Sequence, residues 1–174
     1  MNAFEELVFR YDKHVLNIAK SFRNDDDDAK DIYQEVFMRV YRGLKNFQFK
    51  SEFTTWLFRI TTNVCITYQS RKKNFDSLNR ELSLDDNDTT TLADTLSDYK
   101  SADEMAVSSD ISKHINYVLE ELPPKQKMAF TLKYFHEYKI REIAEMMQCS
   151  EGAIKKYLFT ATHRMRNRLK YILK

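Results

Sequence analysis

Glycine and proline are nearly absent from this chain, with two of each among 174 residues. Because tight turns and β-structure depend on these residues, so low a number argues against a strand-rich fold. Leu, Lys, Glu, Met, Arg and Ala, which favour helices, are plentiful. The sequence therefore predicts an all-α fold in which short polar turns join the helices.

Charged residues divide the chain into three segments. Residues 1–73 carry 13 basic and 10 acidic side chains, residues 74–110 carry 2 and 10, and residues 111–174 carry 13 and 6. The central segment is also rich in Asp, Ser and Thr, and its apolar residues show no sustained helical period. This pattern predicts an N-terminal helical bundle and a C-terminal helical domain joined by a flexible acidic linker.

Apolar residues spaced by three and four positions predict three helices in residues 1–73. The first covers Phe4 to Phe22, the second follows the aspartates Asp25–Asp28, and the third begins at Phe53 and ends near Lys73. Carboxylates at a helix start favour an N-cap. Three helices with matched apolar faces predict a compact bundle, in which Phe53 and the following Trp56 belong to the core rather than to a nucleic-acid contact.

A pair of helices, Ile140–Met147 and Glu151–Leu169, is the strongest local signal in the sequence. Only three residues separate the two helices, which is the spacing of a helix-turn-helix, and Ser150 can cap the second one. An ordinary αα-hairpin is the alternative interpretation. Two further predicted helices, at 111–122 and 125–135, lie on either side of a Pro-Pro pair.

The second helix of this pair carries a one-sided excess of basic side chains. Such a helix can lie in a major groove with its N-terminal half on base edges and its basic end on phosphates. A charged helix is usually only a solvated face, but the turn spacing and the net charge of +7 in residues 111–174 favour DNA binding. The candidate residues are Ser150, Glu151, Ala153, Lys155, Lys156, Thr160 and Arg164.

Two long motifs resemble the extracytoplasmic-function sigma factors of bacterial RNA polymerase. Region two of that family has the form DAxDxxQEVFxRVxR followed by FxxWLxRIxxN, and this chain reads DAKDIYQEVFMRVYR from Asp28 and FTTWLFRITTN from Phe53. The LPxxQ helix of region four appears as LPPKQ from Leu122, ahead of the helix-turn-helix. The resemblance covers nearly the whole chain apart from the linker. It implies a non-enzymatic, cofactor-free protein that directs RNA polymerase to promoters.

The resemblance also implies a polymerase-docking face on the second helix, against the clamp helices of the β′ subunit. Its residues are Asp31, Gln34, Glu35, Met38, Arg39 and Arg42. Without the family, pairs such as Glu35 with Arg39 would be ordinary surface decoration.

The third helix and the loop before it would hold the melted minus-ten strand in such a factor. Capturing an unstacked base takes hydrogen-bonding groups beside an aromatic or apolar wall, with cations for the backbone. The residues of these types are Phe49, Ser51, Arg59, Asn63, Tyr68, Arg71, Lys72 and Lys73. Thr62, Ile66 and Ser70 share the outward side of this helix with Arg59 and Asn63.

Further partners follow from the same resemblance. Residues 111–174 would contact the polymerase β flap and the minus-thirty-five duplex, and the acidic linker would occupy basic channels of the polymerase. An anti-sigma factor that clamps both domains is also expected. No uninterrupted apolar run long enough for a membrane helix and no signal peptide is visible, so a cytoplasmic location is expected, without membrane insertion.

Four positions depart from the family pattern. The family often has an acidic residue at Thr67, an arginine at Ser70 and another arginine at Thr160, so its base preferences do not transfer to this chain. Gln148 stands where the turn of the helix-turn-helix usually has glycine. A left-handed residue with a Cβ costs roughly 1 kcal/mol there.

Two other classes of protein compete with this interpretation. A stand-alone helix-turn-helix regulator would need a dimer interface or a sensor domain, whereas the N-terminal segment offers a bundle with a polar docking face. A small helical nuclease or phosphatase would need converging metal ligands, which Asp25–Asp28 at a helix start do not provide. The histidines show no metal spacing, and Cys65 and Cys149 are predicted to be small buried hydrophobes.

Overall fold

The computed structural model describes the backbone of residues 3–82 and 104–172, and the side chains of residues 4–78 and 112–170. All regular secondary structure in these ranges is helical, which confirms the predicted all-α class. The elements are α1 (Ala3–Phe22), α2 (Asp26–Leu44), α3 (Phe53–Leu82), α4 (Glu104–Glu121), α5 (Pro124–Tyr134), α6 (Ile140–Met147) and α7 (Glu151–Ile172).

Two helices extend further than the sequence pattern predicted. Helix α3 continues to Leu82 instead of ending near residue 73, and α4 begins at Glu104 instead of residue 111. Neither extension contains glycine or proline, and residues such as Leu, Arg, Glu, Met and Ala sustain a helix after its apolar period has faded. Residues 83–103, the rest of the predicted linker, lie outside the described residues.

The start of α2 shows how the run of four aspartates is used. Asp25 is the N-cap, and its Oδ1 accepts hydrogen bonds from the backbone N–H groups of Asp27 and Asp28, both at 2.9 Å. Asp27 forms an exposed pair with Lys30, whereas the side chain of Asp28 is buried. Of the four aspartates, Asp25 is therefore the cap, whereas Asp28 lies in the protein interior.

Helices α1, α2 and α3 pack as a bundle whose buried residues follow the predicted apolar faces. Phe53 and Trp56, predicted as core, are half-buried in an aromatic cluster with Phe47, whose ring lies 5.0 Å from that of Trp56 and 5.9 Å from that of Phe53. Buried members of the bundle include Val15, Ile18, Phe22, Ile32, Val36, Val40, Leu57 and Val64.

Helices α4 to α7 pack directly onto this bundle. Met128 and Leu132 of α5 and Ile143 of α6 belong to the same buried cluster as the bundle core. A second, smaller cluster joins α4 to α7 through residues such as Leu119 and Met165. The two predicted domains therefore share one continuous apolar core, with α3 contacting both α5 and α6.

The capping of α2 makes a direct prediction. Replacing Asp25 with Ala removes the acceptor for two orphan N–H groups, so the free energy of unfolding should fall by about 1 kcal/mol. Asp27→Ala is the matched control, since its exposed pair contributes little. Urea unfolding followed by circular dichroism measures both, and equal effects of the two substitutions would contradict the assignment of the cap.

Candidate nucleic-acid interface

The turn between α6 and α7 has the geometry of a helix-turn-helix. Gln148 adopts the left-handed conformation at φ 51° and ψ 48°, as its place in the motif predicted, and Cys149 donates its N–H to Ala144 O at 3.0 Å. Ser150 caps α7, its Oγ accepting the N–H of Ala153 at 3.2 Å. A Gln in this conformation costs about 1 kcal/mol, which the packing of the two helices must offset.

Helix α7 separates a buried face from an exposed one. Ile154, Leu158, Ala161 and Met165 are buried against the other helices. Among the predicted duplex-contacting residues, Ala153 and Thr160 are half-buried, and the Thr160 hydroxyl donates to Lys156 O at 2.9 Å. The predicted residues that lie open on the surface are Ser150, Glu151, Lys155, Lys156 and Arg164.

Phe159 is a residue of this surface that the sequence analysis missed. Its side chain is 74% exposed, four positions after Lys155 and three after Lys156, and its ring stacks on His163. The sequence contained a signal for it: Phe159 lies outside the apolar spacing of the buried face and on the basic side of the helix. The exposed surface of α7 thus combines cations with one large apolar side chain.

The predicted docking residues of α2 form one outward face. Glu35 and Arg39 are half-buried and paired, with Arg39 Nε donating to Glu35 Oε1 at 2.7 Å. Met38 is 47% exposed, and Tyr41, which the prediction omitted, is 60% exposed and packs edge-on against Phe4. Asp31, Gln34 and Arg42 are exposed as well. The face therefore offers both charges and apolar side chains.

The predicted minus-ten residues do not form one open surface. Phe49 is 85% exposed, at φ 52°, and its ring lies 4.8 Å from that of Phe47. Asn63, Arg71 and Lys72 are exposed, and Ser51 is half-buried. Arg59, Tyr68 and Lys73, the remaining residues of the set, have partners within the protein, and the exposed Lys72 is paired with Asp28 as well.

Helices from the C-terminal half cover part of this surface. Arg59 Nε donates to Glu145 O at 3.0 Å, and Lys73 Nζ donates to Leu122 O at 2.8 Å. Thr62, placed on the outward side of the helix by the sequence analysis, is fully buried, and its hydroxyl donates to Met146 O at 2.8 Å. That expectation was wrong for Thr62, because α6 packs on this side of α3. The N-terminal bundle by itself would leave the same side exposed.

Asp28 lies at the centre of a buried ionic cluster. Its Oδ2 accepts from Arg23 Nη2 at 2.6 Å, Arg23 Nε at 2.9 Å and Lys72 Nζ at 2.8 Å, and its Oδ1 accepts from the Tyr68 hydroxyl at 2.8 Å. Burial raises the pKa of Asp28, but the hydrogen bonds from Lys72, Tyr68 and Arg23 outweigh it and hold that pKa below its ordinary value. Burial and the contact with Asp28 raise the pKa of Tyr68.

Glu120 connects this cluster to the C-terminal helices. Its carboxylate accepts from Arg23 Nη1 at 2.5 Å and from Lys127 Nζ at 2.7 Å. Lys127 is 1% exposed, and its ammonium lies 4.8 Å from the centre of the Phe22 ring. Burial lowers the pKa of Lys127 to about 8, against the opposing effect of Glu120. A cation is thus held between the two halves of the fold.

The described residues do not bring metal-ligand side chains together into a site. No group of three or more His, Cys, Asp or Glu side chains in this part of the chain is arranged to hold a metal ion. Cys65 is buried and Cys149 half-buried, both as free thiols, and burial raises the pKa of Cys65 to about 12. Of the helices described, none is long and apolar enough to cross a membrane.

Comparisons with known proteins agree with the motifs. A family model for Sigma-70 region 2 matches residues 7–75, and one for Sigma-70 region 4 matches residues 115–164. The chain is 28% identical to the RNA polymerase sigma-H factor of Pseudomonas aeruginosa, over 99% of this chain and 89% of that protein. It is 29% identical to the ECF RNA polymerase sigma factor SigW of Bacillus subtilis, over 97% and 88%.

Solved structures share the fold. The sigma factor RpoE in its complex with the anti-sigma factor NepR, from Bartonella quintana, aligns with a TM-score of 0.63 at 20% identity, covering 98% of both chains. Regions two and four in this order, on a helical bundle and a helix-turn-helix, define a sigma-70-type factor. The chain belongs to the extracytoplasmic-function (ECF) group of RNA polymerase sigma factors.

The Asp28 cluster makes the stability of the protein depend on pH. Asp28→Asn leaves two cations without their shared carboxylate and should cost roughly 3 kcal/mol at neutral pH. Because the folded pKa of Asp28 is lowered, its contribution is complete above the unfolded pKa and is lost as the pH falls through the folded pKa. The stability difference between wild type and Asp28→Asn should therefore stay constant down to about pH 5 and shrink as the pH falls further, to about 2.

Urea unfolding at a series of pH values measures this difference. Asp27→Asn is the matched control, since its carboxylate is exposed and pairs only with Lys30 in the described structure. It should lie close to wild type at every pH. A difference between wild type and Asp28→Asn that stayed constant across the series would contradict the cluster.

Proposed function

We propose that this ECF sigma factor binds core RNA polymerase through the outward face of α2, holds the melted minus-ten strand on α3 and the loop before it, and reads the minus-thirty-five duplex with α7. The observation that carries the proposal is the exposed, basic face of α7 after a helix-turn-helix, in a chain matched by both sigma-70 regions. The protein would act by binding alone, in the cytoplasm, and leave catalysis to the polymerase.

The face of α2 suits a protein partner better than a nucleic acid. Acidic Asp31 and Glu35 occupy its first half and basic Arg39 and Arg42 its second half, so it presents no continuous cationic track for phosphates. Exposed Met38 and Tyr41 supply apolar contact area in the middle of these charges. Interfaces of this kind bury an apolar centre and keep a charged rim, which steers association. A helical surface such as the β′ clamp fits this description.

The loop before α3 offers an aromatic platform for an unstacked base. Phe49 is almost fully exposed and is supported from below by Phe47, which itself packs on Trp56. Base stacking on such a ring is worth about 1–3 kcal/mol. The exposed Asn63 can bond to base edges and Arg71 to the phosphates of the same strand.

The exposed face of α7 can both position the helix and read a base. Lys155 and Lys156 would neutralise phosphates, and Phe159 would make an apolar contact with the methyl group of a thymine in the major groove. Gly152, on the same side, has no side chain, and a Cβ at this position would contact only Ser150 Oγ, at 3.9 Å, so the backbone can approach the duplex.

Two protein partners besides the clamp are part of the proposal. The structural relatives include a sigma factor crystallised with NepR and CnrH in complex with the cytosolic domain of CnrY, the latter aligning with a TM-score of 0.62 at 19% identity over 97% of this chain and 88% of CnrH. We propose an anti-sigma factor for this chain as well. The polymerase β flap would contact the helices of the C-terminal half.

Transcription in vitro tests the function as a whole. Adding the purified protein to core RNA polymerase and a genomic DNA library should produce new, discrete start sites that share two spaced upstream elements. Asp31→Lys with Glu35→Lys should abolish binding to core polymerase, because it reverses the charge of the α2 face, and should remove these start sites.

A second double reversal serves as the control for that experiment. Glu6→Lys with Asp27→Lys makes the same change in net charge at two exposed positions of the same bundle. It should retain both polymerase binding and the start sites, and circular dichroism should show that both proteins are folded. Full activity of the Asp31 and Glu35 variant would refute the docking face.

The two roles of α7 separate under different measurements. Lys155→Ala with Lys156→Ala should weaken duplex binding at every sequence. The slope of the logarithm of the binding constant against the logarithm of the salt concentration should fall by the equivalent of about two phosphate contacts. Phe159→Ala should leave this slope unchanged and should cost roughly 1 kcal/mol of binding free energy, through a single base pair.

The promoter identified by transcription supplies the duplex for this test. Replacing each thymine of the minus-thirty-five element by deoxyuridine removes one methyl group at a time. Wild type should bind one of these deoxyuridine duplexes more weakly than the thymine duplex. Phe159→Ala should bind that deoxyuridine duplex and the thymine duplex with equal affinity. Equal losses for both proteins at every thymine would rule out the methyl contact.

A further inference from the structure

Helix α3 is longer than the bundle to which it belongs. It runs antiparallel to α2, because Gly43, near the end of α2, lies beside Trp56, whereas Asp28, in the first turn of α2, accepts a hydrogen bond from Lys72. The turns of α3 that follow Lys72 therefore extend past the start of α2. Every side chain of residues 74–78 is exposed there.

Two large apolar side chains lie on this projecting part of the helix. Phe75 is 64% exposed and Leu78 is 57% exposed. They continue the spacing of the face that α3 turns toward the bundle, which runs at intervals of three and four positions through Val64, Tyr68, Arg71, Phe75 and Leu78. The apolar face of α3 thus runs on beyond the helices that cover its first part. We call residues 71–78 the projecting segment.

The projecting segment is cationic. It contains three basic residues and one acidic residue, Asp76. Lys72 and Lys73 bond within the protein, whereas Arg71 is exposed and forms no ion pair with a described residue. Arg71 precedes Phe75 by four positions, so the guanidinium and the ring lie one turn apart on the same side of the helix. Asp76 is turned about 100° away from Phe75 around the helix.

Acidic side chains at the start of α2 lie beside this segment, but cations of the bundle already pair with them. Asp26 pairs with Lys20 at 3.1 Å and Asp27 with Lys30 at 3.2 Å. Asp28 is held by Arg23 and by Lys72 itself. These pairs limit the repulsion that a phosphate would meet near Arg71.

An exposed ring beside a free cation fits an unpaired nucleic-acid strand better than a protein helix. Every base can stack on an aromatic ring, and a neighbouring cation holds the backbone. A partner helix would instead need a continuous apolar strip to dock on. Arg71 and Asn74 interrupt the strip on either side of the Phe75 ring.

The projecting segment also continues the surface predicted for the minus-ten strand. Asn63 and Arg71 of that surface are exposed, and Phe75 follows them along the same helix. The helix rises about 18 Å from Asn63 to Phe75. Phe49, in the loop before α3, is a second strongly exposed ring and lies at the opposite end of this helix.

We propose that Phe75 is a second stacking platform for melted promoter DNA. An unpaired base beyond those held at Phe49 and Asn63 stacks on its ring, and Arg71 bonds to the phosphate of the same nucleotide. Leu78 extends the apolar wall by one further turn. This inference rests on the proposed function, since it lengthens the minus-ten surface at its far end.

Binding of a fork-junction DNA by the holoenzyme tests this assignment. The probe is the promoter identified by transcription, kept as duplex upstream and left single-stranded from the minus-ten element onward. With the full chain bound to core RNA polymerase, Phe75→Ala should weaken binding of this fork about tenfold, because one stacked base is lost. Affinity for a duplex that ends upstream of the minus-ten element should stay unchanged.

Phe9→Ala is the matched control, because it makes the same substitution at a phenylalanine of α1 that is 79% exposed. Its affinity for the fork should stay within about twofold of wild type. Phe75→Tyr keeps a ring and should bind like wild type, whereas Phe75→Leu keeps only apolar area and should bind as weakly as Phe75→Ala. Wild-type affinity in Phe75→Ala or in Phe75→Leu, with all variants folded by circular dichroism, would overturn the proposal.

Forks with one abasic position locate the stacked base. Wild type should bind one of these forks more weakly than the intact fork. Phe75→Ala should bind that abasic fork and the intact fork with equal affinity. Equal losses for both proteins at every abasic position would also overturn the proposal.

Failure of the proposed function would give a different result. A wild-type holoenzyme that does not bind the fork contradicts that function, and the projecting segment is then tested on the full chain alone. At low salt, a labelled single-stranded oligodeoxynucleotide of about twenty nucleotides should bind Phe75→Ala more weakly than Phe9→Ala, as measured by fluorescence anisotropy. Equal binding would overturn the stacking platform. Loss of affinity for core polymerase in Phe75→Ala would do so too, because it would assign the segment to a protein partner.

Discussion

The arrangement of the whole molecule depends on one buried carboxylate, that of Asp28. Arg23, Lys72 and Tyr68 all bond to it, so the first turn of α2 is tied to the end of α1 and to the middle of α3. Arg23 uses its remaining nitrogen to reach Glu120, which extends the same network into the C-terminal helices. The contact that orders the bundle thereby also positions the other half of the fold.

Helix α3 connects this network to the C-terminal half, because both of its faces are used. The face toward the bundle is apolar, whereas the face toward α5 and α6 carries Thr62, Gln69 and Lys73. Polar side chains of this kind are poor core residues, and two atoms of Gln69 remain without partners among the described residues. Burying such groups costs free energy, which the apolar contacts of α5 and α6 with the bundle offset.

Sequence patterns predicted what depends on local spacing. The bounds of α6, the cap at Ser150 and the left-handed Gln148 followed from the helix-turn-helix alone. The extension of α3 was missed because a fading apolar period was taken for the end of a helix. Contacts such as Arg23 with Glu120 join residues 97 positions apart, and no periodicity in a single sequence predicts such a pairing. The roles of the site residues therefore stay predictions, although their exposure is now described.

Buried charges are part of the contact between the two halves. Desolvating Arg23, Lys127 and their carboxylates costs several kcal/mol per ion, and the mutual attraction of these groups offsets much of that cost. These ion pairs therefore contribute little net free energy, but they restrict the two halves to a narrow range of relative orientations. Apolar contacts also join the halves, because Met128, Leu132 and Ile143 belong to the same buried cluster as the bundle core. These apolar contacts supply most of the attraction between the halves, and the ionic contacts of Arg23 and Lys127 select the orientation in which the halves meet.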